Sequence, residues 1–192
     1  DDITLDFVRS RGKHDFRVFT TDPGYPYAAE HTYDVSSLKP QLAAPHSVDN
    51  VHPLEKFIGT PIDQAFLGTC TGGRAEDLAI AARILKGKKV HRRTRFIVVP
   101  ATKGVLLEAM ARGDMQTLVE AGATFVTPGC AACLGTHEGI LAPGETCITA
   151  SSRNFPGRMG STKAQIYVGS PASVAAAALE GKIADPAPYL DE

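Results

Sequence analysis

The stretch Ala65-Phe66-Leu67-Gly68-Thr69-Cys70-Thr71-Gly72-Gly73-Arg74-Ala75-Glu76-Asp77-Leu78 decides the fold, because the apolar pattern changes period across it. Ala65-Phe66-Leu67 is a short, wholly apolar run that reads as a buried strand. From Glu76 to Leu85, Leu78, Ala81, Ala82 and Leu85 fall on one helical face. Strand, Gly-rich loop, helix is the opening of a βα unit, and the same alternation continues downstream. Phe96-Ile97-Val98-Val99 predicts a strand closed by Pro100. Val105 to Arg112 and Met115 to Ala121 predict helices set off by Gly104 and Gly113. Further strands are expected over Thr124 to Thr127, Thr146 to Ala150 and Gln165 to Val168. A last helix is expected over Pro171 to Glu180, with Pro in its first turn and Gly181 after its end. This predicts an α/β domain, a parallel sheet flanked by helices, over residues 60–192. Ligands of such sheets bind beyond the carboxyl ends of the strands.

Residues 1–59 have a different texture. Pro23, Pro26, Pro40, Pro45 and Pro53 interrupt them, with only short extended runs such as His31 to Val35, and they read as an irregular lead-in packed on the domain. The whole chain has 192 residues, 43% of them hydrophobic, with 20 basic against 21 acidic side chains. That suffices for one sizeable core. The near-zero balance provides no field to draw nucleic acid or an anionic membrane. The longest apolar runs fall far short of the about 20 residues that span a bilayer, and the polar start is no signal peptide. Four Cys are too few for a secreted disulfide scaffold, so metal or redox chemistry in a reducing, cytoplasmic setting is the expectation.

Cys130-Ala-Ala-Cys133 is a CxxC pair opened by Pro128-Gly129, and Cys70 lies 60 residues upstream in the Gly-rich loop. Soft thiolates select zinc, Cu(I) or iron–sulfur clusters. Closed structural zinc normally takes four ligands, and only three Cys fall in strand-end loops. Cys147 sits in an apolar run and reads as a buried strand residue. The plainer alternative is a reduced surface pair; a thioredoxin-type redox pair would stand early in the fold without a distant third thiol.

Three motifs in order carry a resemblance: Leu67-Gly-Thr-Cys70-Thr-Gly-Gly-Arg74-Ala-Glu-Asp-Leu78, Pro128-Gly-Cys130-Ala-Ala-Cys133-Leu-Gly-Thr-His137, and Ser151-Ser-Arg153-Asn-Phe-Pro-Gly-Arg158. Together they resemble the aconitase superfamily, in particular the third, cluster-carrying domain of 3-isopropylmalate dehydratase and homoaconitase large subunits. The likeness runs from about residue 25 to the end. It takes in Pro45-His46-Ser47-Val48-Asp49-Asn50 and the tail Gly181-Lys-Ile-Ala-Asp-Pro186. It implies that the chain is about half of such a subunit, without the N-terminal domains, as the missing initiating Met also suggests. It further implies a [4Fe-4S] cluster on Cys70, Cys130 and Cys133, with Arg153 and Arg158 holding substrate carboxylates. The implied reaction is that of a hydro-lyase, isomerising 2-isopropylmalate in leucine biosynthesis by dehydration and rehydration. Homoaconitase-type and methylmalate-type substrates are the alternatives. No catalytic base is expected in this chain; a Ser on a small, swivelling subunit would supply it, so the chain alone should be inactive.

Two positions depart from the family pattern: Gly72 and Ser152 stand where relatives carry Asn, which bears on cluster tuning rather than cluster binding. His137 reads as a loop residue or a group behind the ligands, and His46 and Asn50 as parts of a turn. Arg74 at a helix start opposes the helix dipole, hinting that its charge is used elsewhere. A non-catalytic zinc or scaffold module is the competing reading of another class. An RNA-binding relative is disfavoured by the absent basic surplus.

Overall fold

The structure, a computed structural model, describes residues 1–12 and 14–190. It divides into two units, Asp1–Ser37 and the chain from Leu38 onward. The first holds one helix, α1 (Asp2–Arg11), whose N-cap Asp1 accepts from the Thr4 N–H at 2.9 Å. After it there is no regular element up to Ser37 among the described residues, and His31 to Val35 forms no strand.

The second unit is built on a seven-stranded sheet. Its strands are β1 (Gln41–Ala43), β2 (Val51–Pro53), β3 (Gln64–Gly68), β4 (Arg95–Val99), β5 (Thr124–Phe125), β6 (Thr146–Thr149) and β7 (Gln165–Val168), in the order β2-β1-β7-β6-β3-β4-β5. From β7 to β5 every pairing is parallel, whereas β1 pairs antiparallel with both β2 and β7. The sheet is therefore mixed. The short loop from β1 to β2 can only return antiparallel, because a parallel partner needs a crossover of a dozen or more residues. Two of these strands thus come from within the expected irregular lead-in.

The helices after β3 are α2 (Thr69–Gly72), α3 (Ala75–Leu85), α4 (Lys103–Ala111), α5 (Asp114–Ala121) and α6 (Pro171–Glu180). Thr102 caps α4 by accepting from the Val105 N–H, and Ser170 caps α6 by accepting from the Ser173 N–H, both at 3.1 Å. Strand alternation sends Ala65, Leu67, Phe96, Val98 and Ile148 to one face, where Leu78, Leu85, Leu118 and Val174 of α3, α5 and α6 cover them. Phe66, Ile97, Val99 and Cys147 point to the other face. There the cover is loop rather than helix: Val126, Ala132, Cys133, Leu141, Met159 and Ala164.

Chain direction explains this asymmetry. β3, β4 and β5 step one way across the sheet, then the chain crosses back to β6 on the far side of β3 and steps the other way to β7. Right-handed crossovers put connections of opposite stepping direction on opposite faces. The CxxC segment and the loop carrying Arg158 consequently share the face away from α3, α4 and α5.

Candidate metal and anion site

The reversal of strand order falls between β3 and β6, and the crevice above such a reversal is the usual ligand position in an open α/β sheet. The loops after β3, β5 and β6 leave the same edge because these strands run parallel. They carry, respectively, Cys70; Cys130 and Cys133; and Arg153 and Arg158.

Cys70 lies within the single helical turn α2 and is exposed. This differs from the open loop expected at Cys70. The turn is wedged between neighbouring strand ends: a Cβ on Gly73 would come within 2.4 Å of the Val99 carbonyl oxygen, so only glycine fits. Thr69 just before Cys70 has φ +63°, a left-handed conformation that is strained for a β-branched residue. Cys70 Sγ is 3.8 Å from Thr71 Oγ1, and Thr71 Oγ1 donates to Ser152 Oγ at 3.3 Å. That bond spans the crevice from the β3 loop to the β6 loop.

The CxxC pair is carried on a 3-10 turn, Ala131–Leu134, closed by Cys133 N–H donating to the Cys130 carbonyl at 3.1 Å. Ala131, beside Cys130, also has positive φ, +42°. Cys130 is exposed, while Cys133 is buried against the loop-covered face of the sheet. All four thiols are free of disulfides. Cys147, in β6, is wholly buried, and burial pushes its thiol up to about 12.

The two arginines are placed differently. Arg153 is exposed, one residue from the Thr71–Ser152 bond. Arg158 is half-buried, and its Nη2 donates to Cys133 Sγ at 3.4 Å. Its Nε is buried without a partner, as is the hydroxyl of Ser151 at the carboxyl end of β6. Groups of that kind are costly unless a ligand or water satisfies them.

A cavity of about 280 Å³ opens beside the CxxC turn, lined by Thr127, Pro128, Gly129, Cys130, Thr136 and His137 among others. His137, left aside as a loop residue by its sequence context, thus lines the same cavity as Cys130. Its left-handed backbone, φ +79°, is a feature that sequence spacing does not signal. Asn50 donates to the Pro45 carbonyl at 2.9 Å and lies 2.9 Å from the His52 ring, all within its own turn. Arg74 is exposed, and its backbone N–H donates to Asp77. Burial raises the Asp77 carboxyl above its ordinary value. Among the described residues, no three His, Cys, Asp or Glu side chains gather closely enough to hold a single metal ion.

A second group of side chains, not anticipated from sequence, anchors the chain after the CxxC turn. Gln64, buried at the start of β3, donates to the Gly139 carbonyl at 2.9 Å and accepts from Arg95 Nε at 3.1 Å. Arg95 forks onto both carboxylate oxygens of Glu145 at 2.7 and 2.8 Å, and Glu145 accepts from the Ala142 N–H. The one available signal was an amide at the head of an otherwise apolar strand.

Comparison with known proteins places this architecture. Residues 56–181 match the family model described as the aconitase family (aconitate hydratase). The chain is 49% identical over 183 residues to a protein of Methanothermobacter thermautotrophicus named "Probable methanogen homoaconitase large subunit", covering 95% of this chain and 43% of that one. It is 48% identical over 190 residues to 3-isopropylmalate dehydratase large subunit 1 of Methanopyrus kandleri, covering 99% and 46%. It is 46% identical over all 192 residues to the 3-isopropylmalate dehydratase large subunit of Hydrogenobaculum sp., covering 45% of it. The chain spans about half the length of the curated relatives it matches. With the family model covering most of the sheet and every loop of the crevice, the chain belongs to the aconitase family.

Proposed function

We propose that the sheet unit, which takes in β1 and β2 besides the expected residues 60–192, is the cluster-carrying domain of a hydro-lyase large subunit. In this reading Cys70, Cys130 and Cys133 hold a [4Fe-4S] cluster and Arg153 and Arg158 receive substrate carboxylates. The observation that carries it is the Thr71–Ser152 bond. It ties the loop of Cys70 to the loop of Arg153 over the strand reversal, while Arg158 reaches Cys133 from the same loop.

The residues present fit such a group. The donors are three free thiols on two loops of one sheet edge, soft ligands of the kind that hold iron–sulfur clusters. Cys147, buried in β6 with its thiol pushed up to about 12, is a poor fourth ligand. The buried Arg158 Nε is a further donor without a partner.

When bound, a cluster with one iron lacking a thiolate supplies a Lewis acid that polarises a substrate hydroxyl. The chain's own residues do the orienting. An arginine fork grips a carboxylate with two parallel N–H bonds, which fixes both its position and its plane. The Thr71–Ser152 bond keeps the Cys70 turn and the Arg153 loop in register, so that metal and anion contacts hold a constant separation. A 2-hydroxy di- or tricarboxylate of the 2-isopropylmalate type meets these demands, and relatives named 3-isopropylmalate dehydratase and homoaconitase large subunits support that class. The proton acceptor comes from a small subunit, in keeping with those relatives being named large subunits.

The test is a coupled absorbance assay of the loaded chain, alone and then completed with the N-terminal domains and a small subunit. The panel comprises 2-isopropylmalate, homocitrate and methylmalate. Turnover is expected only in the completed assembly and with 2-isopropylmalate foremost. Turnover by the chain alone, or none from a cluster-loaded assembly, contradicts the reading.

A further inference from the structure

Beneath the CxxC turn, Gly139 is packed between Ala132, which stands between the two cysteines, and the Gln64 side-chain amide. We infer that Gln64 is a positioning residue for the CxxC turn: through Gly139 it sets the depth of Cys130 and Cys133, so that cluster retention depends on a side chain that touches neither thiol. The inference rests on the cluster reading proposed above and deepens it, by naming what holds two of the ligands from below.

The partners of Gln64 leave its amide one orientation. Arg95 Nε can only donate and the Gly139 carbonyl can only accept, so the Gln64 oxygen faces Arg95 at 3.1 Å and its nitrogen faces Gly139 at 2.9 Å. The same nitrogen lies 3.9 Å from Cys147 Sγ, and the side chain is wholly buried. Arg95 is itself held by the Glu145 carboxylate. The segment that follows Gly139 is fastened to the same end of the sheet. Ala142 N–H donates to Glu145, Asp63 N–H donates to the Thr146 carbonyl at 2.9 Å, and Thr146 N–H donates to Asp63 Oδ2 at 2.8 Å. On its upper side Gly139, at φ +82°, would bring a Cβ to 3.2 Å from Ala132 Cβ and drive it into Ile97 Cδ1. Only glycine lets the backbone fill the space between the amide and the turn.

A buried amide with its oxygen and nitrogen both engaged is costly to displace, and close-packed interiors pass a displacement on to their neighbours. Loss of the Gln64–Gly139 bond therefore frees Gly139 to move and removes the floor under Ala132. The turn is then left with its own closure, Cys133 N–H donating to the Cys130 carbonyl. Groups behind metal ligands act on metal affinity in this way, by fixing the ligands before the metal arrives.

The experiment loads the full chain anaerobically with iron and sulfide and follows iron release to a chelator in the parent, Q64M, Q64E and S170A. Methionine keeps the length of the side chain and loses both bonds. Glutamate keeps an acceptor for Arg95 and, ionised, offers Gly139 no donor. S170A removes the cap of α6, on the helix-covered face, and controls for lost stability alone. Both Gln64 variants are expected to release iron several-fold faster than the parent, with S170A close to it; Q64M decides should Q64E not fold. Release no faster than from S170A overturns the inference. A second measurement needs no cluster: iodoacetamide labelling of the native, metal-free chain, with Cys133 read against Cys130 by peptide mass. That ratio is expected to rise several-fold in the Gln64 variants and to hold in S170A. An unchanged ratio, or an equal rise in S170A, overturns the inference. A ratio that rises as expected in a chain whose parent never takes up iron would defeat the cluster reading while retaining the hold of Gln64 on the turn.

Discussion

Gly72 lies directly against Ala150: a Cβ on Gly72 would fall 2.4 Å from the Ala150 Cβ and 2.6 Å from the Ala150 carbonyl oxygen. The contact joins the Cys70 turn to the end of β6 and leaves no room for a side chain at Gly72. Gly72→Ala must push the turn away from the sheet. Forced overpacking of this kind costs about 1–3 kcal/mol, expected as a lower urea midpoint with an unchanged slope. A variant as stable as the parent would mean that the turn is not wedged as described.

The Gln64 amide bridges Gly139 and Arg95 with no exposure to solvent. Gln64→Leu keeps the bulk but leaves the Gly139 carbonyl and Arg95 Nε without their partner. Because Gly139 is part-buried and Arg95 about half exposed, the expected loss is at the low end for unpartnered groups, about 1 kcal/mol, read by the same unfolding experiment. Cys133 labelling should rise as well, because Gly139 packs beneath Ala132 in the CxxC turn.

The Arg95 fork holds the Glu145 carboxyl below its ordinary value, opposed in part by burial. A carboxyl lowered on folding adds stability that is present above its unfolded value and is lost as pH falls through its folded value. Because Arg95 is about half exposed, at 47%, the contribution is discounted to about 1 kcal/mol or less. Parent and Glu145→Gln should therefore differ in stability at pH 7 and converge on acidification below the ordinary carboxylate range. A gap that persists undiminished at acid pH would contradict the ion-pair account.

Burial and a thiol pushed up to about 12 make Cys147 inert at pH 8. Alkylation of the native, metal-free chain should modify Cys70 and Cys130 and spare Cys147 until denaturant is added. Early labelling of Cys147 would contradict its placement in β6.

The β–α alternation was legible because its strands are apolar runs bounded by Gly and Pro, α3 and α5 keep a 3.6 period, and α4 and α6 are marked off by Gly, Thr and Pro at their ends. β1 and β2 were not legible: three residues each, one ending in Pro53, they are placed by long-range pairing, β1 on β7 and β2 on β1. The thiols were legible as types and spacings. Their depths were not, since Cys133 is buried by residues such as Phe66 and Met159 that are remote in sequence. The Arg158–Cys133 bond and the Gln64–Arg95–Glu145 group likewise arise from crossover handedness and strand register rather than from local pattern.

The central claim is that Cys70, Cys130 and Cys133 act together on one iron–sulfur body. Anaerobic loading of the chain with iron and sulfide, followed by iron analysis and absorbance near ~400 nm, tests it most directly. The parent and Cys147→Ala should turn brown and bind several irons per chain, and Cys70→Ser, Cys130→Ser and Cys133→Ser should each lose most of both signals. Undiminished cluster uptake in those three variants, or stoichiometric zinc with no iron in the parent, would contradict the account.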